Sequence, residues 1–165
     1  MRAFFLCCLI LLVSPVTAEE IKIGYIDIDK VISNLSHYQR SNNQIIKNFE
    51  PKKIELLELF DYINILRNKL ETTELKLDSK EYKTSVQKVR DLEKKFQSES
   101  ETWQSNLSDK QFKLLEKIEI EINVAIKDLA ISSQYDLIFY DNGAFVSDKI
   151  NISDTIISNI EKLHQ

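Results

Sequence analysis

The chain has 165 residues, 43% of them hydrophobic, and a formal net charge of −4. This acidic balance gives no indication of a nucleic-acid-binding protein, since such proteins usually carry a basic surface. Both cysteines, Cys7 and Cys8, lie at the N-terminus. The rest of the chain therefore offers no disulfide, thiol nucleophile or cysteine-based metal site.

The N-terminal segment has the order of a secretory signal peptide. Arg2 is followed by an apolar run at 3–13, and small residues at 16–18 precede two glutamates. The run is shorter than the roughly 20 residues that a spanning helix needs. We predict that residues 1–18 are a cleaved signal peptide and that the mature chain, with 21 basic and 26 acidic residues, is exported. An uncleaved membrane anchor is the alternative.

The mature chain begins with an isoleucine-rich segment. Residues 21–28 (IKIGYIDI) predict a first β-strand. Asp29 is a suitable N-cap for a short helix through Leu35. His37 follows this helix and is predicted to be a partly exposed end residue.

A long helical region comes next, because no glycine or proline occurs between Pro51 and Gly143. From Ile45, apolar residues recur at alternating spacings of four and three, which is typical of a coiled coil. A polar break at 78–81, with Asp78 as a predicted N-cap, separates two such series and indicates an antiparallel hairpin about 50 Å long. The positions that would pack the two helices together, called the seam below, are Ile45, Phe49, Leu56, Leu59, Ile63, Leu66, Leu70, Leu77, Val86, Val89, Phe96 and Trp103.

The C-terminal part returns to short elements. Residues 137–140 and 144–146 predict two strands joined by an Asn142-Gly143 turn. Ser153 is the predicted N-cap of a last helix, with His164 beyond it in a frayed end. Residues expected in body strands that mediate oligomerisation are Ile21, Ile23, Tyr25, Ile26, Leu137, Phe139, Tyr140, Phe145 and Val146.

The predicted fold class is α+β and mostly helical. Residues 19–41 and 113–165 would form a small β-containing body, and residues 42–112 a helical hairpin arm inserted into it. A body of about three strands and a few short helices is marginal for stability. Self-association that covers its strand edges would meet this need.

Apolar residues of the hairpin that lie off the seam are the candidates for binding another protein. They are Ile46, Ile54, Leu57, Phe60, Ile65, Leu75, Leu92, Phe112 and Leu115. The alternative is that these residues pack on neighbouring arms or near the body. No catalytic, cofactor-binding or metal site is predicted, because the mature chain has only two histidines and no phosphate-binding glycine loop. Caps and turns explain Asp27, Asp29 and Asp141 better than paired carboxylates do.

The two ends of the mature chain resemble the Skp/OmpH family. The matching segments are IKIGYIDIDKVI and YDLIFYDNGAFVSDKINISDTIISNIEKL, with the hairpin lying where that family has its tentacle. The resemblance implies a periplasmic homotrimer whose arms surround a cavity. It also implies an ATP-independent holdase, not an enzyme, that binds unfolded outer-membrane β-barrel proteins without a cofactor. A structural coiled-coil or adaptor protein of the cell envelope is the alternative function.

The charge distribution differs from that of the strongly basic family members. The distal arm, residues 67–95, carries nine basic and six acidic side chains, whereas residues 113–165 carry five and nine. Screening over about 8 Å at physiological salt limits the reach of the basic tip. We expect at most weak contact between this tip and anionic membrane or lipopolysaccharide.

Overall fold

The computed structural model of the chain describes residues 20–72, 79–140 and 145–164. The predicted signal peptide and the Asn142-Gly143 turn lie outside these ranges. Within them, no helix is long and apolar enough to cross a membrane. The elements in chain order are β1 (Ile23–Ile26), α1 (Ile28–Asn34), α2 (Ser36–Glu71), α3 (Lys80–Ser132), β2 (Leu137–Tyr140) and α4 (Ser153–Leu163). The prediction of a mostly helical α+β fold is confirmed.

The two strands form a small parallel sheet. Ile23 pairs with Leu137, and the register continues to Ile26 opposite Tyr140. On the other side of β1, Tyr25 accepts a hydrogen bond from the backbone N–H of Ile152 at 2.9 Å. Parallel strands need a long crossover connection, and here the connection contains the helices α1, α2 and α3.

The predicted second strand of the hairpin is not formed at Phe145 and Val146, which belong to no strand in the described part of the chain. The strand neighbour that the structure gives β2 is β1. A local turn signal such as Asn-Gly cannot reveal a partner more than 110 residues away along the sequence. The hydrophobic pattern of Leu137–Tyr140 indicated a strand correctly but left its partner open.

Three predicted helix caps also differ from the structure. Asp27, not Asp29, caps α1, since its Oδ1 accepts from the backbone N–H of Lys30 at 2.8 Å, and the first strand therefore ends before residue 28. Ser79 caps α3 by accepting from the N–H of Tyr82 at 3.2 Å, while Asp78 lies outside the described residues. Several polar residues precede each helix, and the path of the entering chain decides which one reaches the free N–H groups.

Ser153, the third of these caps, is instead the first residue of α4 and is completely buried. Its backbone N–H donates to Oδ1 of Asn151 at 3.0 Å, so Asn151 supplies the side-chain acceptor at this helix start. The Ser153 hydroxyl accepts from the backbone N–H of Asp27 at 2.9 Å. The serine thereby joins the start of α4 to the start of α1.

The core of the body lies between β1, α1, α3 and α4. It is built almost entirely from aliphatic side chains, and Ile26, Val31, Leu35 and Ile156 are fully buried in it. The α3 side chains that join them recur at helical spacing, as Ile118, Ile122, Ala125, Ile126 and Leu129. The C-terminal helix thus closes a core that begins with the N-terminal strand.

The helices α2 and α3 continue from the body into the arm without a break. At 1.5 Å per residue they are about 54 and 80 Å long. The predicted boundary between body and arm at residues 41 and 42 lies inside α2, and the one at residues 112 and 113 lies inside α3. Pro51 lies inside α2, where it cannot donate the usual hydrogen bond to the preceding turn.

The start of α2 is capped by a side chain from α4. Leu35 occupies the N-cap position and provides no side-chain acceptor, but Oε1 of Glu161 accepts from the backbone N–H of Ser36 at 2.6 Å. This hydrogen bond lowers the pKa of Glu161 from its ordinary value of 4.5. A negative charge is also favourable at the positive end of a helix dipole.

We expect Glu161→Gln to lower the thermal unfolding midpoint at pH 7 by a difference that disappears in acid. A carboxylate whose pKa is lower in the folded state stabilises the protein above its unfolded pKa, and this stabilisation is lost as the pH falls through the folded value. Thermal unfolding of both proteins from pH 7 down to about pH 2.5, below the lowered pKa of Glu161, measures the difference. Glu116→Gln, at an exposed glutamate of α3, is the control. An effect of Glu161→Gln that stays constant over this range would contradict the capping role.

Candidate functional site

The arm is an antiparallel pair of helices joined by polar contacts along its length. Going outward from the body, Gln111 donates to Asn42 at 3.2 Å and Lys52 pairs with Glu99 at 2.8 Å. Farther out, Arg67 of α2 pairs with Glu93 of α3. Residue numbers rise on α2 as they fall on α3, as an antiparallel hairpin requires.

Lys52 falls between Phe49 and Leu56 in the four-three repeat of α2, at a position where the repeat has no apolar residue, and pairs there with Glu99. The hydrogen bond to Glu99 raises the pKa of Lys52, and the same bond lowers the pKa of Glu99. Both groups therefore remain charged at neutral pH. Because both side chains keep about a third of their surface in contact with solvent, the pair contributes more to the register of the two helices than to stability.

The predicted seam residues lie between the two helices. Leu56, Ile63 and Val89 are buried, and the other described members are partly buried; Leu77 lies outside the described residues. Near the middle, the indole Nε1 of Trp103 donates to the backbone oxygen of Phe49 at 3.1 Å. These side chains are occupied by packing within the arm.

The off-seam apolar residues are placed differently. The structure leaves a set of them between 44% and 66% exposed, namely Ile46, Ile54, Leu57, Phe60, Ile65 and Phe112. Leu92 and Leu115 are partly buried. Leu75 lies outside the described residues. The two classes that spacing separates in the sequence, seam and off-seam, thus differ in exposure along α2.

The exposed apolar residues of α2 lie on one side of that helix. At 100° per residue, the five positions cover a continuous arc of about 140° that adjoins the seam. We call this arc the apolar flank; its members are Ile46, Ile54, Leu57, Phe60 and Ile65. The opposite flank carries exposed polar side chains such as Gln44, Glu58 and Lys69. Tyr62 is an aromatic residue on that opposite flank, where its hydroxyl accepts from Lys88 at 3.1 Å.

The apolar flank continues into a shallow groove between α2 and α3. The groove has a volume of about 470 Å³ and is lined by Leu57, Phe60, Phe96 and Trp103, with Lys53 among its polar residues. The rings of Phe60 and Phe96 lie 5.6 Å apart. The groove is open to solvent, so it offers an apolar surface to a chain without enclosing a small ligand.

A second exposed apolar surface lies on the body. Phe139, Tyr140 and Leu137 are about half exposed although they belong to β2, and Phe145 is 87% exposed. On α3, an additional stripe of exposed aliphatic residues consists of Ile120, Val124 and Ile131. This stripe was not predicted from the sequence. Its residues recur at helical spacing on the side of α3 opposite the core residues Ile118 and Ile122, and this pattern could have indicated a second apolar face.

The two histidines make contacts with each other and with α3 that the sequence did not indicate. The ring of His164, which was expected to fray, stacks on the ring of His37 with centroids 3.9 Å apart. Both Nε2 atoms contact Oε2 of Glu121, at 2.9 Å from His37 and 3.2 Å from His164. The sequence could not show this, because packing of α4 on α3 brings the two rings together across 127 positions.

Comparison with known proteins identifies the family. The OmpH model, described as outer membrane protein (OmpH-like), matches residues 22–160. No curated protein matches the sequence, whereas the fold matches six chains of solved structures. One is the crystal structure of an OmpH-like protein from Caulobacter crescentus CB15 that is assigned as an outer membrane chaperone. It is 8% identical, with a TM-score of 0.70 over 88% of this chain and 86% of that chain, so the likeness concerns the fold. The resemblance noted in the sequence is confirmed, and this chain belongs to the OmpH-like family.

Proposed function

We propose that the protein is an ATP-independent periplasmic holdase chaperone that binds unfolded outer-membrane β-barrel proteins between its arms. The observation that carries this proposal is the apolar flank of α2, where five large apolar side chains stay exposed although the seam beside them is filled. Membership of the OmpH-like family and the fold shared with an assigned outer membrane chaperone support a chaperone role.

The apolar flank is suited to weak binding of unfolded chains with many different sequences. Complete burial of a leucine or isoleucine side chain contributes about 1.5–3 kcal/mol, so each half-exposed member can contribute about 1 kcal/mol. Charged residues such as Lys53 and Asp61 lie among the apolar ones and interrupt the apolar surface. Several weak contacts of this kind hold an unfolded chain without fixing its conformation, and none needs ATP.

The exposed apolar surface of the body supports self-association, and the resemblance to the Skp/OmpH family implies three copies. β2 pairs with β1 along one edge, and Phe139 and Tyr140 remain about half exposed. Exposed strands and apolar patches of this kind are typical of sites where copies associate. In the proposed trimer, the strands of three bodies cover one another and the three arms enclose the client.

The oligomer makes a prediction of its own. Phe139→Asp should reduce the mass of the assembly from three chains to one, because a carboxylate cannot be buried in an apolar contact without a partner. Light scattering coupled to size-exclusion chromatography measures the mass. Phe112→Asp, which changes an exposed phenylalanine of the arm in the same way, should remain a trimer. A mass of three chains for Phe139→Asp would remove Phe139 from the interface.

An aggregation assay tests the function itself. A urea-unfolded outer-membrane β-barrel protein is diluted into buffer with the mature chain and no ATP, and light scattering is followed. The proposal predicts that scattering is abolished near three chains per client. If a folded and oligomeric sample leaves scattering undiminished, the proposal fails and a structural coiled-coil role becomes the better explanation.

A further inference from the structure

Three aromatic side chains meet in the groove beside the apolar flank. Phe60 of α2 and Phe96 and Trp103 of α3 all line it. Phe60 is 45% exposed, whereas Phe96 and Trp103 are partly buried. Although the sequence assigns Phe96 and Trp103 to the seam, each therefore contributes to the surface of the groove as well as to the packing of the arm.

We propose that this groove is a subsite for the aromatic side chains of an unfolded client, with Trp103 in direct contact with the client. The inference rests on the proposed chaperone function and specifies which client side chains the arm selects. The occupant is a segment of an extended chain, because the groove is open to solvent and continues into the apolar flank. Its volume of about 470 Å³ lies within the range of sites that bury small molecules, so a large side chain fits.

The arrangement of the rings favours an aromatic side chain over an aliphatic one. The rings of Phe60 and Phe96 lie 5.6 Å apart and are tilted by 40°, which is within the range of favourable aromatic pairs. A further ring that enters the groove forms additional pairs of this kind, whereas a leucine gains only the burial of its surface. Such a pair raises affinity about 2- to 10-fold beyond that burial.

Trp103 is held in place for this contact before the client arrives. Its indole Nε1 donates to the backbone oxygen of Phe49 at 3.1 Å, so the polar atom of the ring is already bonded to α2. The rest of the indole is apolar, and a ring fixed by a hydrogen bond loses little conformational freedom when a client covers it. Preorganisation of this kind raises affinity because it lowers the entropic cost of binding.

The charge of the groove is complementary to an aromatic ring. Of the described residues that line it, only Lys53 is charged. The Lys53 side chain is 50% exposed, and its contact with Glu50 is long, at 3.4 Å, so the ammonium group remains able to turn toward the groove. An ammonium group attracts the negative face of an aromatic ring, whereas an aliphatic side chain offers no such attraction.

The fluorescence of Trp103 tests the inference, because Trp103 is the single tryptophan of the sequence. The assembled mature protein is titrated with a tryptophan-free, unfolded peptide that carries three phenylalanines, and separately with the same peptide carrying leucines in their place. The phenylalanine peptide should bind at least about fivefold more tightly. It should also change the emission of Trp103 and protect the indole from quenching by acrylamide. Equal affinities, no binding of either peptide, or binding that leaves the emission unchanged would overturn the inference.

Variants assign the effect to the groove. Phe60→Leu keeps an apolar side chain but removes one ring, and it should reduce the preference for the phenylalanine peptide by about half or more. Phe112→Leu is the matched control, since Phe112 is an exposed phenylalanine that is not among the described residues lining the groove. This control should retain the full preference. An equal preference in the two variants would contradict the assignment to this groove.

A second copy of the chain is the other occupant that the groove fits. Trp103 would then be fully shielded from acrylamide in the assembly without a client, and this result would also overturn the inference. The aggregation assay decides the chaperone function separately. Suppressed aggregation together with equal peptide affinities removes the aromatic subsite and leaves the holdase, whereas undiminished aggregation removes both.

Discussion

Ile156→Ala is expected to lower the free energy of unfolding by about 2–5 kcal/mol. Ile156 is fully buried at the centre of the body, where α4 packs on α1 and α3. The substitution removes apolar contacts and leaves a cavity, because a packed core relaxes only partly around a lost side chain. A loss of this size is a large fraction of the about 5–15 kcal/mol that stabilises a typical domain.

Equilibrium urea unfolding, followed by circular dichroism at one fixed chain concentration, measures this loss. The concentration is fixed because assembly adds to the stability of an oligomer. Ile65→Ala is the matched control, since the same substitution at a 63% exposed position should cost less than about 1 kcal/mol. Similar losses at the two positions would mean that α4 does not close the core.

The second large effect concerns the client. Combined replacement of Ile46, Ile54 and Leu57 by serine should weaken client binding about hundredfold, because three contacts of about 1 kcal/mol each are lost. All three side chains lie on the apolar flank and are 44% to 54% exposed. The arm itself should remain folded, since no seam position is changed. Client affinity is measured by fluorescence anisotropy with a labelled, urea-unfolded β-barrel protein.

The control replaces Gln44, Glu58 and Lys69 by serine. These exposed residues lie on the opposite flank of the same helix, and the net charge is unchanged. Both triple variants lose a similar amount of helix propensity, so a general weakening of α2 would affect them alike. If the control loses as much affinity as the apolar variant, binding does not depend on the apolar flank.

Much of the arm could be predicted because its signals are local. A glycine- and proline-free interval, a four-three repeat and a polar break at 78–81 indicate two long helices. The same repeat assigns Leu56 and Ile63 to the seam and leaves Leu57 and Phe60 outside it, and the burial of these side chains follows that division. Helical periodicity carries this information because neighbouring turns of a helix repeat at a fixed angle.

The body was harder to predict because its contacts are distant in sequence. β1 and β2 are more than 110 residues apart, and no local signal in the sequence shows that they pair. The capping of α2 by Glu161 and the convergence of His37 and His164 on Glu121 depend on where α4 docks. No local pattern encodes such a position, so these features emerge only from the three-dimensional structure.

Site-specific photo-cross-linking to a bound client tests the apolar flank most directly. A photoreactive amino acid is placed at Ile46 or Leu57 of the apolar flank, and at Gln44 or Glu58 of the opposite flank, in otherwise unaltered protein. An unfolded outer-membrane β-barrel protein should cross-link strongly to positions 46 and 57 and weakly to positions 44 and 58. Cross-links confined to positions 44 and 58 would contradict the proposal that the apolar flank of α2 holds the client.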